Sequence, residues 1–175
     1  MMNILRTTAA VAALALTATP ALAAPVGPAS GSRNATATAR IIKPLVLTWE
    51  QDLDLGTILL SGAGVWGGAT VSITHAGVFS CTNVNVVCSG TPQTARYNVA
   101  GTQGQIVNIT APNVTLVNQN DNTQTLLMTV SNPGTVTLTN AGVPGSDFNL
   151  GGSITVTSAT VDGVYLGTFN VTVDY

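Results

Sequence analysis

The chain has 175 residues, of which only 7% are charged, and its five basic and seven acidic residues give a net charge of −2 at pH 7. Because binding to nucleic-acid phosphates needs clustered Lys and Arg, this composition makes nucleic acid a poor partner. Val, Thr, Asn, Ser and Gly are abundant. Since β-branched side chains favour pleated sheet over helix, we expect an all-β fold.

The first 23 residues have the pattern of a signal peptide. Arg6 provides a positive start, Ala9–Thr17 is an apolar run too short to span a bilayer, and Ala21-Leu22-Ala23 offers the small residues that a signal peptidase recognises. We therefore predict cleavage after Ala23 and export through the inner membrane to the periplasm. No later stretch approaches the roughly 18 uninterrupted apolar residues of a membrane helix, so we expect no membrane span.

Residues 24–40 are predicted to form an extended N-terminal arm. The stretch APVGPASGSRN at its start is rich in Pro, Gly and Ser, a composition that builds no packed element alone. Apolar residues then recur at every second position, which is the pattern of a β-strand with one apolar face. The residues on this face are Ala35, Ala37, Ala39 and Ile41. The arm therefore holds a candidate strand of its own.

The remaining residues, 41–175, carry a series of short strand patterns with no helical period between them. The first pattern places Leu45, Leu47 and Trp49 on one face. Later candidates are Ala69–His75, Val84–Cys88, Ala95–Val99, Gln105–Thr110, Val114–Val117, Thr125–Val130, Thr135–Thr139, Ser153–Val161 and Val164–Val173. Short strands at nearly regular spacing, separated by turn formers, predict an antiparallel two-sheet β-sandwich.

Asp162-Gly163 stands between the last two strand patterns. An Asp-Gly pair favours the type I′ turn of a β-hairpin, which needs positive φ at both central residues. We therefore predict that the last two strands pair with each other. The final segment, GTFNVTVDY, places four side chains on one face: Phe169, Val171, Val173 and Tyr175.

Cys81 and Cys88 are the only cysteines. In an exported protein a disulfide between them is expected, and closing this short loop contributes about 2.5 kcal/mol on the chain-entropy model. A metal site would require further Cys or His residues nearby, and a redox-active pair would be expected to have a C-x-x-C spacing. We therefore predict a structural disulfide.

Candidate catalytic residues are few. His75 is the only histidine, and its surroundings, SITHAG, contain neither a nucleophile elbow nor a nearby acid. Asp52 and Asp54 lack the Gly and the distant Glu of a calcium loop, so we interpret them as part of a solvated turn. We expect no catalytic residue, no metal and no cofactor, and we expect that the protein is not an enzyme.

Three further features accompany the signal peptide: the arm, the first strand ARIIKPLVLTW leading into DLDLGTI, and the C-terminal VDGVYLGTFNVTVDY. Together they resemble a bacterial secreted family of unknown function that is related to spore coat protein U and the archaic chaperone–usher pilins. The resemblance covers most of the chain after the signal peptide. It implies an immunoglobulin-like antiparallel β-sandwich that lacks one strand and is completed by donor-strand exchange.

The resemblance also implies a function, which is that of a structural subunit of a surface fibre. In such pilins a periplasmic chaperone fills the gap first, and the N-terminal arm of the next subunit then replaces it. The implied partners are other copies of the chain or related pilin subunits, the chaperone and an outer-membrane usher. The implied location is the cell surface or an extracellular fibre.

The implied interface has two parts. Phe169, Val171 and Val173 would line the edge of the groove, and Tyr175 would cap it near the anchoring site of the chaperone. The donor face would consist of Ala35, Ala37, Ala39 and Ile41.

The alternative is a self-contained secreted sandwich that binds carbohydrate or protein at the cell surface. Sugar stacking needs exposed aromatic rings, and we expect Trp49 and Trp66 to be buried in the core instead. The two alternatives differ in the final strand. If it awaits a partner, its backbone is unpaired on one side, whereas in a self-contained fold both of its sides are paired within the chain.

Overall fold

The computed structural model describes residue 27 and residues 35–62 and 64–175. The predicted signal peptide and most of the predicted arm lie outside these residues. Ala35–Ala39 are exposed and have no regular secondary structure. Arg40–Tyr175 form one structural unit, to which all of the strands below belong.

The described part of the chain contains thirteen strands and no helix, which confirms the prediction of an all-β, sandwich-like fold. The strands are β1 (Val46–Gln51), β2 (Thr57–Leu60), β3 (Ala69–Ile73), β4 (Phe79–Ser80), β5 (Val86–Ser89), β6 (Ala95–Ala100), β7 (Ile106–Thr110), β8 (Val114–Asn118), β9 (Thr125–Ser131), β10 (Thr135–Thr137), β11 (Ser146–Val156), β12 (Tyr165–Leu166) and β13 (Thr172–Asp174). Across these residues nothing helical is long and apolar enough to cross a membrane.

The long strand β11 organises the first sheet. Its first half pairs antiparallel with β6, which in turn pairs with β1, and its second half pairs antiparallel with β3. On its other side, Gly151–Ser153 pair with β9. Gly151 is buried, and a Cβ atom there would collide with the carbonyl oxygen of Ile73. Glycine thus lets β11 and β3 approach closely at the point where β11 changes partners.

From β9 the same sheet continues through β8 to β12, and a separate three-stranded sheet has the order β10–β7–β13. All of these pairings are antiparallel. Along the chain, residues 111–113 separate β7 from β8, residues 132–134 separate β9 from β10, and residues 167–171 separate β12 from β13. A separate antiparallel pair is formed by β5 and β2, the strand that follows β1 in the chain.

Two apolar clusters fill the space between the sheets. Cluster I comes mainly from β3, β8, β9 and the second half of β11. It comprises Leu55, Ala69, Val71, Ile73, Val86, Val114, Leu116, Met128, Ile154 and Val156. Cluster II comes mainly from β6, β7 and the first half of β11. It comprises Ala95, Val99, Val107, Ile109, Leu138, Phe148 and Leu150.

The predicted hairpin at Asp162-Gly163 is wrong. β11 pairs with β3, β6 and β9, whereas β12 pairs with β8. Among the described residues only glycines have positive φ, so Asp162 does not take the type I′ conformation. The side-chain amide of the buried Asn118 donates a hydrogen bond to the Asp162 carbonyl at 2.9 Å. Asp162-Gly163 therefore belongs to a longer connection between β11 and β12, which do not pair with each other.

Two strand boundaries also differ from the prediction. The strand predicted at Ser153–Val161 begins earlier, at Ser146, because the two glycines at its centre lie within the strand and do not precede it. The strand predicted at Val164–Val173 is split into β12 and β13, which pair with β8 and β7 in different sheets.

Candidate functional site

Two strand edges face each other across the sandwich, and each is paired on one side only. The N-terminal edge runs through β1 and β2, which pair with β6 and β5. The C-terminal edge runs through β12 and β13, which pair with β8 and β7. Within residues 35–62 and 64–175 no further strand pairs with either edge. Both edges therefore present main-chain hydrogen-bonding groups to a further strand.

The two edges are joined at one end of the sandwich, which we call the closed half. Leu45 and Leu47 pack against cluster II, and Val171 and Val173 pack against the same cluster. The hydroxyl of Tyr175 donates to the Lys43 carbonyl at 2.5 Å and accepts from the Thr102 N–H at 3.0 Å. Side chains thus fill the space between the edges here.

At the other end, which we call the open half, the edges stand apart. A groove of about 1530 Å³ lies between residues 52–60 and residues 160–169. This volume exceeds the range of about 300–1,000 Å³ typical of small-molecule pockets. Apolar side chains line its floor: Leu116, Leu126, Met128, Ile154 and Val156. The groove therefore opens directly onto cluster I.

One end of the groove is aromatic. Trp49 of β1 pairs with Tyr97 of β6, and both residues line the groove. Alternation places Trp49 on the same face as Leu45 and Leu47. Trp49 is nevertheless 58% exposed, so the prediction that it is buried is wrong. The groove leaves the core face of β1 uncovered at this point. Trp66, in contrast, is half-buried, and its indole N–H donates to the Ser61 carbonyl at 3.2 Å.

The same end of the groove is acidic. The Trp49 indole N–H donates to Asp52 Oδ1 at 3.2 Å, and Asp54 also lines the groove. Burial and, second, the negative charge of Asp52 raise the pKa of Tyr97. We call this set of four side chains the aromatic–acidic end: Trp49, Asp52, Asp54 and Tyr97.

The four C-terminal residues predicted at an interface are divided between the two halves. Phe169 is half-buried, lines the groove and contacts both clusters. Val171 and Val173 lie in the closed half, and the hydroxyl of Tyr175 is bound within the same subunit. A role for these residues in subunit contacts stays a prediction.

The four residues of the predicted donor face are all exposed: Ala35, Ala37, Ala39 and Ile41. Ile41 is 89% exposed. The chain is fixed immediately around it, because the Arg40 guanidinium donates to Gln105 Oε1 and the Lys43 N–H donates to Thr102 Oγ1 at 2.6 Å. The point at which the arm joins the sandwich is therefore held at the closed half.

Cys81 and Cys88 form a disulfide, which confirms the prediction, with their Cα atoms 6.3 Å apart. Both cysteines pack against cluster I. Cys88 lies in β5 opposite Ile58 of β2, and β2 forms a wall of the groove. The disulfide thus supports the groove wall from behind.

The remaining candidates do not form a second site. His75 is exposed and its Nδ1 lies 3.1 Å from Ser131 Oγ. In the part of the chain that the structure describes, no three His, Cys, Asp or Glu side chains are grouped to hold a metal ion.

The floor of the groove and its aromatic–acidic end were not predicted from the sequence. The floor residues alternate like those of any buried strand, and nothing in that pattern shows that no described strand covers them. The one available signal was the run from Trp49 to Asp54, where carboxylates follow an alternating apolar strand.

Comparison with known proteins identifies one family. Residues 45–175 match the model of a domain of unknown function, DUF4402. No curated protein and no solved structure shows a significant match to the chain. The matching span includes both strand edges, the groove and the disulfide. The chain therefore belongs to the DUF4402 family.

Proposed function

We propose that the protein is a pilin-like structural subunit of a bacterial surface fibre, assembled by β-strand donation between subunits. The observation that carries this proposal is the open groove, which has an apolar floor and lies between two edges that are each paired on one side. Strand addition uses these features, because main-chain hydrogen bonds join the new strand to an edge and its alternate side chains enter the groove.

The groove also supplies a reason for assembly. Ile58, Leu60 and Leu126 line it and are only half-buried. Full burial of one such side chain is worth about 1.5–3 kcal/mol relative to exposure, so a strand that covers the groove stabilises the subunit. Open edges above an apolar floor also favour aggregation, which a periplasmic chaperone would prevent before assembly.

The arm suits the groove in pattern and in length. Its apolar face recurs at every second residue from Ala35 to Ile41, and an extended strand of this length spans roughly 23 Å at about 3.3 Å per residue. Within the wall of residues 52–60, the stretch Asp54–Leu60 has as many residues as Ala35–Ile41. We infer that the arm of one subunit fills the groove of the next.

The alternative, a self-contained secreted sandwich that binds carbohydrate or protein, is less well supported. It predicts that the final strand is paired on both sides. Among the described residues, β12 and β13 are each paired on one side only, and this favours strand donation.

Deletion of residues 24–40 from the exported chain tests the proposal. We expect the full chain to form fibres, visible by electron microscopy, and the deletion variant to remain as monomers that bind a synthetic arm peptide. Two point variants provide a matched comparison. Ala37→Asp places a charge on the donor face and should block fibre formation, whereas Thr38→Asp places it on the opposite face and should not.

Strand donation is excluded if the full chain never assembles and the deletion variant is an equally stable monomer. Size-exclusion chromatography and thermal unfolding of both chains provide that comparison.

A further inference from the structure

We propose that Arg33 in the arm of a second copy binds the aromatic–acidic end of the groove and thereby sets the register and direction of the donated strand. This inference rests on the proposed function and assigns the contacts of the same groove. Arg33 lies outside the described residues, so its part in the argument comes from the sequence alone.

The apolar face of the arm does not define a register by itself. Ala35, Ala37 and Ala39 are identical, so a shift by two residues places alanine where alanine was and changes the burial little. Register is weakly specified where successive inward side chains are alike. The residues that flank the three alanines on the same face are Arg33 and Ile41. They differ from alanine and from each other, so they can distinguish one register from the next.

The two ends of the groove differ as Arg33 and Ile41 do, because one end is aromatic and acidic and the other is mainly apolar. At the first end, Asp52 accepts the indole N–H of Trp49, and Tyr97 and Asp54 also line the groove. At the far end, Leu60, Val156 and Val161 line the groove together with one carboxylate, Asp162. No Lys or Arg lines the groove among the described residues.

An arginine suits the first end better than the far end. A guanidinium stacks on aromatic rings and pairs with carboxylates, and the first end offers both kinds of group. Asp52 holds the indole N–H of Trp49, and the 58% exposure of Trp49 leaves ring surface for a cation. An isoleucine is better placed against Leu60 and Val156. Arg33 therefore lies at the aromatic–acidic end, and Ile41 lies at the far end.

The spacing agrees with this placement. Arg33 and Ile41 are eight residues apart, which corresponds to about 26 Å in an extended strand. Asp52 and Leu60, which mark the two ends along the wall, are also eight residues apart. The donated strand then runs in the same direction as β2 and antiparallel to β12.

Peptide binding to the full exported chain tests the inference. The receptor carries Ala37→Asp in its own arm, so that this arm does not compete. Fluorescence anisotropy reports the binding of labelled peptides that correspond to residues 30–42. We expect Arg33→Glu in the peptide to weaken binding about tenfold or more, from lost cation–π and ion-pair contacts. Arg40→Glu makes the same change of charge on the opposite face, and we expect it to alter the affinity by less than about twofold.

Charge exchange tests the direction of the strand. Asp52→Arg in the receptor should restore binding of the Arg33→Glu peptide, and the control Asp162→Arg should not. Trp49→Leu provides a second variant that retains the charges. It should weaken binding of the wild-type peptide and leave binding of the Arg33→Glu peptide unchanged.

The outcomes separate this inference from the proposed function. If the Arg33→Glu and Arg40→Glu peptides bind equally well, or if Asp162→Arg gives the rescue, the assignment of Arg33 is overturned while strand donation stands. If the wild-type peptide does not bind at all, strand donation fails as well.

Discussion

The closed and open halves are two ends of one sandwich and are bounded by the same two strand edges. The space between those edges is filled by side chains in the closed half and is open in the other half. In the closed half, Leu47 and Val173 pack against a shared cluster and Tyr175 ties the edges together. In the open half the same edges enclose a groove of about 1530 Å³. The closed half thus contributes a complete core, and the open half presents an incomplete one.

Under the proposed strand donation, this difference allows one small domain to be stable and also to accept a partner strand. A domain of this size has only a small net free energy of unfolding, so a core left open along its whole length would threaten folding. Cluster II is covered by the subunit's own side chains, whereas the groove opens onto cluster I. Variants that act on one half, or on the junction of both, test this division.

Gly151→Ala is expected to have the largest effect, because it acts at the junction of the two halves. The new Cβ would collide with the Ile73 carbonyl oxygen and would lie 2.7 Å from the His75 nitrogen, and these are backbone atoms that cannot rotate away. We expect a loss of about 4 kcal/mol in the free energy of unfolding, measured in urea.

Gly67→Ala is the matched control for Gly151→Ala, because a Cβ at Gly67 would meet nothing within 4 Å. It should change the stability by less than about 0.5 kcal/mol. Equal effects of the two variants would show that β11 does not need glycine where it changes partners.

A pair of Leu→Ala variants compares the two halves directly. Leu138 belongs to cluster II and is 1% exposed, so Leu138→Ala should cost about 3 kcal/mol through lost burial and a cavity. Leu126 lines the open groove and is half-buried, so Leu126→Ala should cost only about 1 kcal/mol in the free subunit. Urea unfolding measures both values.

Binding of the arm peptide should increase the difference between the stability costs of the two Leu→Ala variants. When the groove is filled, the cost of Leu126→Ala should rise and that of Leu138→Ala should not. Equal costs for both variants in the free subunit would mean that the open half is as well covered as the closed half.

Several elements were predictable because local periodicity determines them. The alternation in residues 95–99, 105–110 and 114–117 gave strands close to the observed β6, β7 and β8. The disulfide was predictable from two cysteines in a chain whose first residues have the pattern of an export signal. In these cases the nearest neighbours in sequence decide the structure, and tertiary contacts agree with them.

Other elements depend on tertiary contacts that no local pattern reports. Asp162-Gly163 has the chemistry of a hairpin turn, but Asn118 holds it in the connection between β11 and β12, which pair with other strands. Leu116 and Met128 alternate like core residues of a closed sandwich, and they form the floor of a groove because no strand among the described residues covers them. The exposure of Trp49 has the same cause. Apart from the carboxylates that follow Trp49, no local pattern marks these residues as the lining of a groove.

Removal of the disulfide should affect the open half first. The double variant Cys81→Ser, Cys88→Ser should lose about 2.5 kcal/mol on the chain-entropy model. Because β5 supports β2, amide hydrogen exchange should rise in β2 and β5 before it rises in β6 and β7. Uniform loss of protection in all four strands would contradict the division into halves.

The smallest expected effect concerns the contact that ties the two edges. Tyr175→Phe removes the hydroxyl that donates to the Lys43 carbonyl and accepts from the Thr102 N–H, and we expect a loss of about 1 kcal/mol. Tyr165→Phe is the control, because the Tyr165 hydroxyl bonds only the local Val161 carbonyl, at 2.8 Å in the open half. Hydrogen exchange at the Thr102 amide should accelerate in Tyr175→Phe and stay unchanged in Tyr165→Phe. If the Thr102 amide keeps its protection without the Tyr175 hydroxyl, packing of the valines and leucines alone holds the edges together.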